Sequence, residues 1–340
     1  MRKWRANHFG SVQGKRKTLG NQGTVRLRGL RPSFLFYDDL LPIVRSMGTD
    51  DYKRLRMTID TAIIYHAKCA DGFGAAWAAW LKYGDTATYI PAEHGSEPPQ
   101  NLEDKDVIIA DFSYKRQKLL DFKNRVKSLV VLDHHETAFK DLDGLDFAQF
   151  DMKRSGAALM WDYLNPNIKR PALIDYIQDR DLWNWKLPNS QEILATFECE
   201  PFDFNVLTAF NRRLENEQDR KKIANQGHGI LKFKEQRIEH LIEKAYLVDM
   251  SAIMNSDDIT WQVPCLNSPV FQSELGNLLC QKAPFAIIWY RNAEGKYVHS
   301  LRSNGKVDVS KIAEFFGGGG HVPAAGFTID YCLPRLDMKK

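Results

Sequence analysis

The sequence has little cysteine and no pairing pattern among the five it carries: Cys69, Cys199, Cys265, Cys280 and Cys332 are scattered, with no CxxC. That argues against a zinc ribbon and against a disulfide framework. A reducing, cytoplasmic setting is the simplest reading. No apolar run approaches the ~18–20 residues needed to span a bilayer, so a membrane is not an expected partner. Acidic residues are missing from the first 37 positions, which carry Arg2, Lys3, Arg5, Lys15, Arg16, Lys17, Arg26, Arg28 and Arg31 before the first acid, Asp38. An apolar signal-peptide core is missing there too, so a secretory signal is not expected. Three readings of this leader stay open: an organelle transit peptide, a nucleic-acid-binding arm, or sequence upstream of a start at Met57. It has too little apolar surface to offset its ordering entropy, so residues 1–57 are expected to be poorly ordered.

What is present is an ordinary soluble composition, 44% hydrophobic and 26% charged over 340 residues, long enough for two domains. The net charge of +4 suits an anionic substrate without requiring one. The chain is organised around Ser128-Leu129-Val130-Val131-Leu132-Asp133-His134-His135-Glu136. The apolar run reads as a buried strand of a parallel sheet. It ends in groups that bind metal or move protons, where ligands sit in open α/β sheets. Upstream, a strand at Ala62–Tyr65 runs into His66-Ala67-Lys68-Cys69-Ala70-Asp71-Gly72-Phe73-Gly74, and a helix is expected over 75–83. Strands at 86–90 and 107–110 follow, the second ending in Asp111, with helices at 115–125, 155–163 and 172–178. This alternation means βαβ units and a mostly parallel sheet. The charged, helix-periodic stretch 211–244 reads as a connector outside the core. Beyond it, strands at 286–290 and 297–301, a helix over 309–316 capped by Asp308, and a strand at 327–329 make a smaller α/β domain.

The acids and histidines at successive strand or helix ends are His66 and Asp71, Asp111, Asp133 with His134 and His135, and Asp179 or Asp181. Parallel strand ends converge on one edge, so these groups can meet. Carboxylate oxygen with one or two imidazoles suits Mn2+ or Mg2+ better than zinc or copper. Without metal such a cluster would repel itself, whereas two divalent ions ~3.5–4 Å apart would neutralise it and build a phosphoester-cleaving site. The four glycines before His321 are costly in any regular element. They read as a short loop whose backbone N–H groups close on an anion, with Arg302 as a nearby cation.

Asp133-His134-His135 after a buried strand resembles the signature of the DHH phosphoesterase superfamily. The stretch Gly318-Gly319-Gly320-His321-Val322-Pro323-Ala324-Ala325-Gly326 is similar to the motif of its associated C-terminal domain. The resemblance covers roughly residues 58–330 and is to RecJ-type and nanoRNase-type members. It implies a catalytic domain over 58–210, a helical connector over 211–246 and a substrate-binding domain over 247–332. It also implies two ions held by His66, Asp71, Asp111, Asp133, His134 and Asp179, with Asp181 competing for the last place and Asp133 as the bridge. His134 and His135 would be the catalytic residues, and Arg302, Gly318, Gly319, Gly320 and His321 the substrate cradle. Cys69 departs from the family pattern by standing where an acid is usual, as a thiolate ligand or as a small packing residue.

The expected activity is metal-dependent hydrolysis of phosphodiester or phosphomonoester bonds in short oligonucleotides or small nucleotides, with an exonuclease among the related activities. The alternatives are a phosphoanhydride hydrolase acting on polyphosphate and a non-catalytic nucleic-acid-binding protein. A homodimer is left open, as is organelle targeting if the leader is a transit peptide.

Overall fold

The computed structural model describes residues 61–254 and 261–333. The basic leader and the alternative start at Met57 lie outside them. Five strands form the first sheet: β1 (Thr61–His66), β2 (Thr88–Ala92), β3 (Asp106–Ala110), β4 (Ser128–Asp133) and β5 (Ala148–Phe150). All pair in parallel, in the order β2-β1-β3-β4-β5. The apolar runs are continuous because both faces are covered. Ile63, Ile108 and Leu132 feed one apolar cluster, while Ile64, Ile109 and Val131 feed the other. The chain leaves β1 toward β2 and then returns to β3 on the opposite flank. A switch point therefore lies between β1 and β3, where such sheets open a crevice.

Helix α1 (Ala70–Tyr83) packs on the first face, and α2 (Arg116–Lys123) covers the second with Leu119 and Phe122. A short α3 (Glu136–Asp141) follows the histidine pair, and α4 (Gly156–Leu164), α5 (Ala172–Asp181) and α6 (Ser190–Phe197) join α1. Helix α1 begins at Ala70, not at residue 75, because the Cys69 side chain accepts the Gly72 N–H at 3.3 Å and caps it. Asp71-Gly72-Phe73-Gly74 is thus helical first turn, not loop.

The stretch expected as a connector outside the core is α7 (Phe204–Glu215) and α8 (Glu217–Ile242), and both are built into apolar clusters. Leu214, Ile223 and Ala224 join the first sheet's core, while Ile238 packs with Leu266, Leu275 and Ile288 of the second. One long helix thus has its two halves in different cores. Most of its charged side chains face outward and mask the few apolar positions that matter.

The second sheet contains β6 (Tyr246–Asp249), β7 (Gln262–Asn267), β8 (Phe285–Arg291), β9 (Tyr297–Ser303), β10 (Gly319–His321) and β11 (Ala324–Ile329). Its order is β10-β11-β9-β8-β7-β6, with β7–β8 parallel and the other pairs antiparallel. Helices α9 (Met250–Met254), α10 (Gln272–Leu279) and α11 (Val309–Phe315) complete it, α11 capped by Asp308 through the Ser310 N–H at 3.1 Å. The architecture is α/β, a parallel sheet followed by a mixed sheet. Among the described residues no helix is long and apolar enough to cross a membrane.

Candidate metal centre

Two neighbouring strands, β3 and β4, and the helix that follows β1 deliver acids to this edge of the sheet. Asp111 follows β3 with φ 56°, a left-handed conformation that Asp tolerates better than most residues. Its backbone N–H donates to the Leu132 carbonyl at 3.0 Å, which ties this turn to β4. Asp133 ends β4 and is 1% exposed. Asp71 lies in the first turn of α1, and its two oxygens accept the N–H groups of Gly156 and Ala157 at 2.5 and 3.0 Å. This works only because residue 156 is glycine: a Cβ there would fall 2.3 Å from the Asp111 Cβ. The first turn of α4 therefore clamps Asp71 and Asp111 together.

His134 is the hub. Its Nε2 lies 3.1 Å from Asp111 Oδ1, 3.5 Å from Asp181 Oδ2 and 3.8 Å from Asp71 Oδ2. Its Nδ1 is buried and has no hydrogen-bond partner among the described residues. Burial opposes protonation of this ring, but the Asp111 hydrogen bond and the surrounding carboxylates prevail and raise its pKa to about 10. Burial likewise opposes the Asp111 charge, yet His134 and His66 hold its pKa well below the usual range. Asp71 shifts the other way: burial and then the neighbouring Asp111 and Asp181 push it well up. Asp181 is also raised, by burial first.

Asp133 is organised separately. It accepts the Ser113 hydroxyl, the His134 N–H at 2.7 Å and the His135 Nδ1 at 2.7 Å. Burial resists its charge, but His135 and Ser113 bring its pKa down to about 2. His66 Nδ1 is 3.7 Å from Asp111 Oδ2, on which the Cys69 thiol also lies at 3.3 Å. Burial, then Asp111, pushes the Cys69 thiol well up, so it serves as a donor to that carboxylate. Among the described residues, four triads have ligand atoms within 4.8 Å of one another: Asp71, Asp111, His134; His66, Cys69, Asp111; Asp111, Asp133, His135; and His134, His135, His321. Asp111 belongs to three of them.

Asp179 and Asp181 have different surroundings. Asp179 accepts the N–H groups of Lys186 and Leu187 at 2.9 and 3.1 Å and so braces the loop after α5. Asp181, whose side chain is 28% exposed, is the acid that reaches His134. Of the two acids expected at this place, Asp181 lies with the cluster and Asp179 lies with the loop after α5.

The glycine run also differs from expectation. Gly319–His321 is a strand, and the Gly317 and Gly318 N–H groups donate to the Glu314 and Ala313 carbonyls at 2.9 and 2.8 Å. The Gly320 N–H donates to Thr137 Oγ1 at 3.2 Å. These amides are already paired and are not free for an anion. The glycines instead allow close approach: a Cβ at Gly319 would meet Thr137 Oγ1 at 2.8 Å, and one at Gly318 would meet the Gly326 carbonyl at 2.0 Å. Docking on α3 brings His321 over the pair, its ring 4.7 Å from His135 and 5.0 Å from His134. Burial and those two rings lower its pKa to about 3.

Arg302 pairs with Ala324, which pairs with His321, so the three share one cross-strand row and one face. Two strand spacings put Arg302 roughly 10 Å from His321. Its guanidinium donates to Ser273 Oγ at 2.9 Å and to the Leu301 carbonyl at 2.8 Å.

Sequence reasoning missed His94, whose ring is 4.8 Å from His66 and 6.0 Å from His135. Strand β2 runs to Ala92, not to residue 90. With that boundary, His94 obeys the same strand-end rule as the others. Ser113 and Thr137 carried no signal of their own.

The fold and site define an α/β protein with a buried Asp/His centre at a parallel sheet's switch point, closed from above by a histidine of a second sheet. Residues 273–337 match the DHHA1 domain. The uncharacterized protein R106 of Acanthamoeba polyphaga mimivirus is 35% identical over 297 residues, 80% of this chain and 69% of that protein. A solved DHH domain, from a member of the s1p family of ribosomal proteins, is 13% identical with a TM-score of 0.50, covering 88% of this chain and 90% of its own. RecJ with Mn2+ from Thermus thermophilus is 14% identical with a TM-score of 0.44, over 82% of this chain and 51% of that one. The chain belongs to the same family as protein R106 and carries a DHHA1 domain.

Proposed function

We propose that the protein is a divalent-metal-dependent phosphoesterase acting on short oligonucleotides or small nucleotides. The observation that carries this reading is the convergence of Asp71, Asp111 and Asp181 on one imidazole nitrogen in a buried site. Acids packed this closely resist ionisation unless positive charge joins them, and the unpartnered His134 Nδ1 marks a polar group built for something else. Carboxylate with imidazole fits Mn2+ or Mg2+. His134, Asp71, Asp111 and Asp181 would hold one ion, and His66, Asp111 and Asp133 a second, with Asp111 shared. Asp111, not Asp133, is thus the bridging residue in this reading. The Cys69 thiol positions Asp111 by donating to it. Ions bound there would supply an acidified water and neutralise phosphoryl charge.

The chain's own groups do the rest. Asp133 fixes His135 through Nδ1, which leaves its Nε2 as the nitrogen able to hold or deliver a proton. His321 reaches the same place from the second sheet, so a phosphate bound at the acids lies between the sheets. Arg302 adds a fixed cation in the same row, two strands away, where it would meet a second phosphate or a chain end. The pairing of the glycine amides leaves His321 and Arg302 as the cradle's polar groups. Such a cradle grips about one terminal unit and favours short substrates. Steady-state kcat/KM with Mn2+ across two-, five-, ten- and twenty-nucleotide substrates and polyphosphate tests this. We expect the highest value on the shortest oligonucleotides. A value that climbs steadily with length, or turnover of polyphosphate alone, would reject the reading.

A further inference from the structure

Four aromatic rings form a nearly parallel column that starts in the core and ends in the open. Trp80 stacks with Phe204 at 5.5 Å and 22°, Phe204 with Phe73 at 4.9 Å and 13°, and Phe73 with Phe202 at 5.1 Å and 13°. Trp80 and Phe73 are 6% and 7% exposed, whereas the terminal ring, Phe202, is 46% exposed. Phe202 borders a cleft of about 330 Å3, together with Tyr65, Lys68, Phe73, Pro91 and Glu93. An exposed aromatic face at the end of an ordered stack, lining a cleft, is a platform for one more flat ring.

The location says which ring. Tyr65 and Lys68 flank His66, and Phe73 lies two residues beyond Asp71 in the first turn of α1. The segment 65–73 therefore borders the acid–histidine centre and also walls the aromatic cleft. In a nucleotide a single sugar separates base from phosphate, so a base subsite belongs on a segment that also borders the phosphate site, as 65–73 does. Lys68 and Glu93, paired at 2.6 Å and 79% and 60% exposed, offer a donor and an acceptor at the rim for a base edge.

We propose that Phe202 and Phe73, with Tyr65 and the Lys68–Glu93 pair at the rim, form a nucleobase subsite of the catalytic domain. This rests on the phosphoesterase reading for its biological use but not for its detection. Stacking tolerates any base, since every base has a π-face. The subsite therefore selects nucleotides over other phosphate esters without selecting sequence.

The experiment is calorimetric titration of the full chain with AMP and with ribose 5-phosphate, for the wild type, Phe202→Ala and Phe202→Trp. Phe202 is surface-exposed, so these variants are expected to fold. The wild type should bind AMP about ten- to a hundredfold more tightly than ribose 5-phosphate, the usual weight of one stacked base. Phe202→Ala should erase most of that preference and Phe202→Trp should keep it. Equal binding of the two ligands by the wild type, or a preference that survives in Phe202→Ala, overturns the subsite. A protein that prefers AMP in this pattern yet hydrolyses neither phosphodiesters nor phosphomonoesters supports the subsite and refutes the phosphoesterase reading separately.

Discussion

At the scale of single residues, the most informative pair is Asp179 and Asp181. Two positions apart on a helix lie roughly 200° apart in azimuth, so one faces the centre and the other must face away. The sequence shows two acids at the end of a helix and nothing that sets the helix's rotation, so both remained candidates. The structure assigns them different work. Asp179→Ala removes two buried acceptors of backbone N–H and should cost about 1–3 kcal/mol in urea unfolding. Asp181→Asn should leave the urea midpoint nearly unchanged and weaken Mn2+ binding by about tenfold or more, by analogy with other perturbations close to a metal. The opposite pattern would return Asp179 to the centre. Asp111, Asp133 and His134 were legible because each directly ends a buried apolar strand. His94 was not, because its strand runs two residues further than its composition suggests, through Pro91 and Ala92.

At the scale of elements, α8 matters most. Lys234 on this helix is 11% exposed at its side chain and lies 3.2 Å from Glu198 and 2.5 Å from Glu274. Glu198 also meets Arg180 of α5 at 2.7 Å. The run Arg180, Glu198, Lys234, Glu274 thus links the helix that carries Asp181 to the helix whose Ser273 holds Arg302. Burial resists the Glu274 charge, but Lys234 holds its pKa below the ordinary value. If the link is a buried network, Lys234→Met should cost up to about 3–5 kcal/mol, the penalty for stranding buried charge. Lys234→Met with Glu274→Gln should recover part of it. A loss of about 0.5 kcal/mol or less in urea unfolding would mark the link as an ordinary surface pair. None of this was readable beforehand, because a lysine among many charged helix residues looks solvated until its tertiary partners are known. The parallel strands were readable, since burial on both faces writes an unbroken apolar run. Strand β7 was not, because Pro264 interrupts it. Helix α10 was not, because its only fully buried apolar residue is Leu275.

At the scale of the whole molecule, the two sheets contribute unlike parts to one place. The parallel sheet brings the acids and the His134–His135 pair, and the mixed sheet brings His321 through a glycine strand docked on Thr137. The order of motifs along the chain made both parts legible, while their meeting through strand β10 was not, since a glycine run reads as loop. We propose that these acids hold two ions shared through Asp111. The most direct test of this proposal is calorimetric titration of the full chain with Mn2+, for the wild type and for Asp111→Asn. The wild type should bind two Mn2+ per chain, and Asp111→Asn should lose both high-affinity sites. A wild type that takes up no Mn2+, or an Asp111→Asn variant that binds two ions as tightly as the wild type, would contradict it.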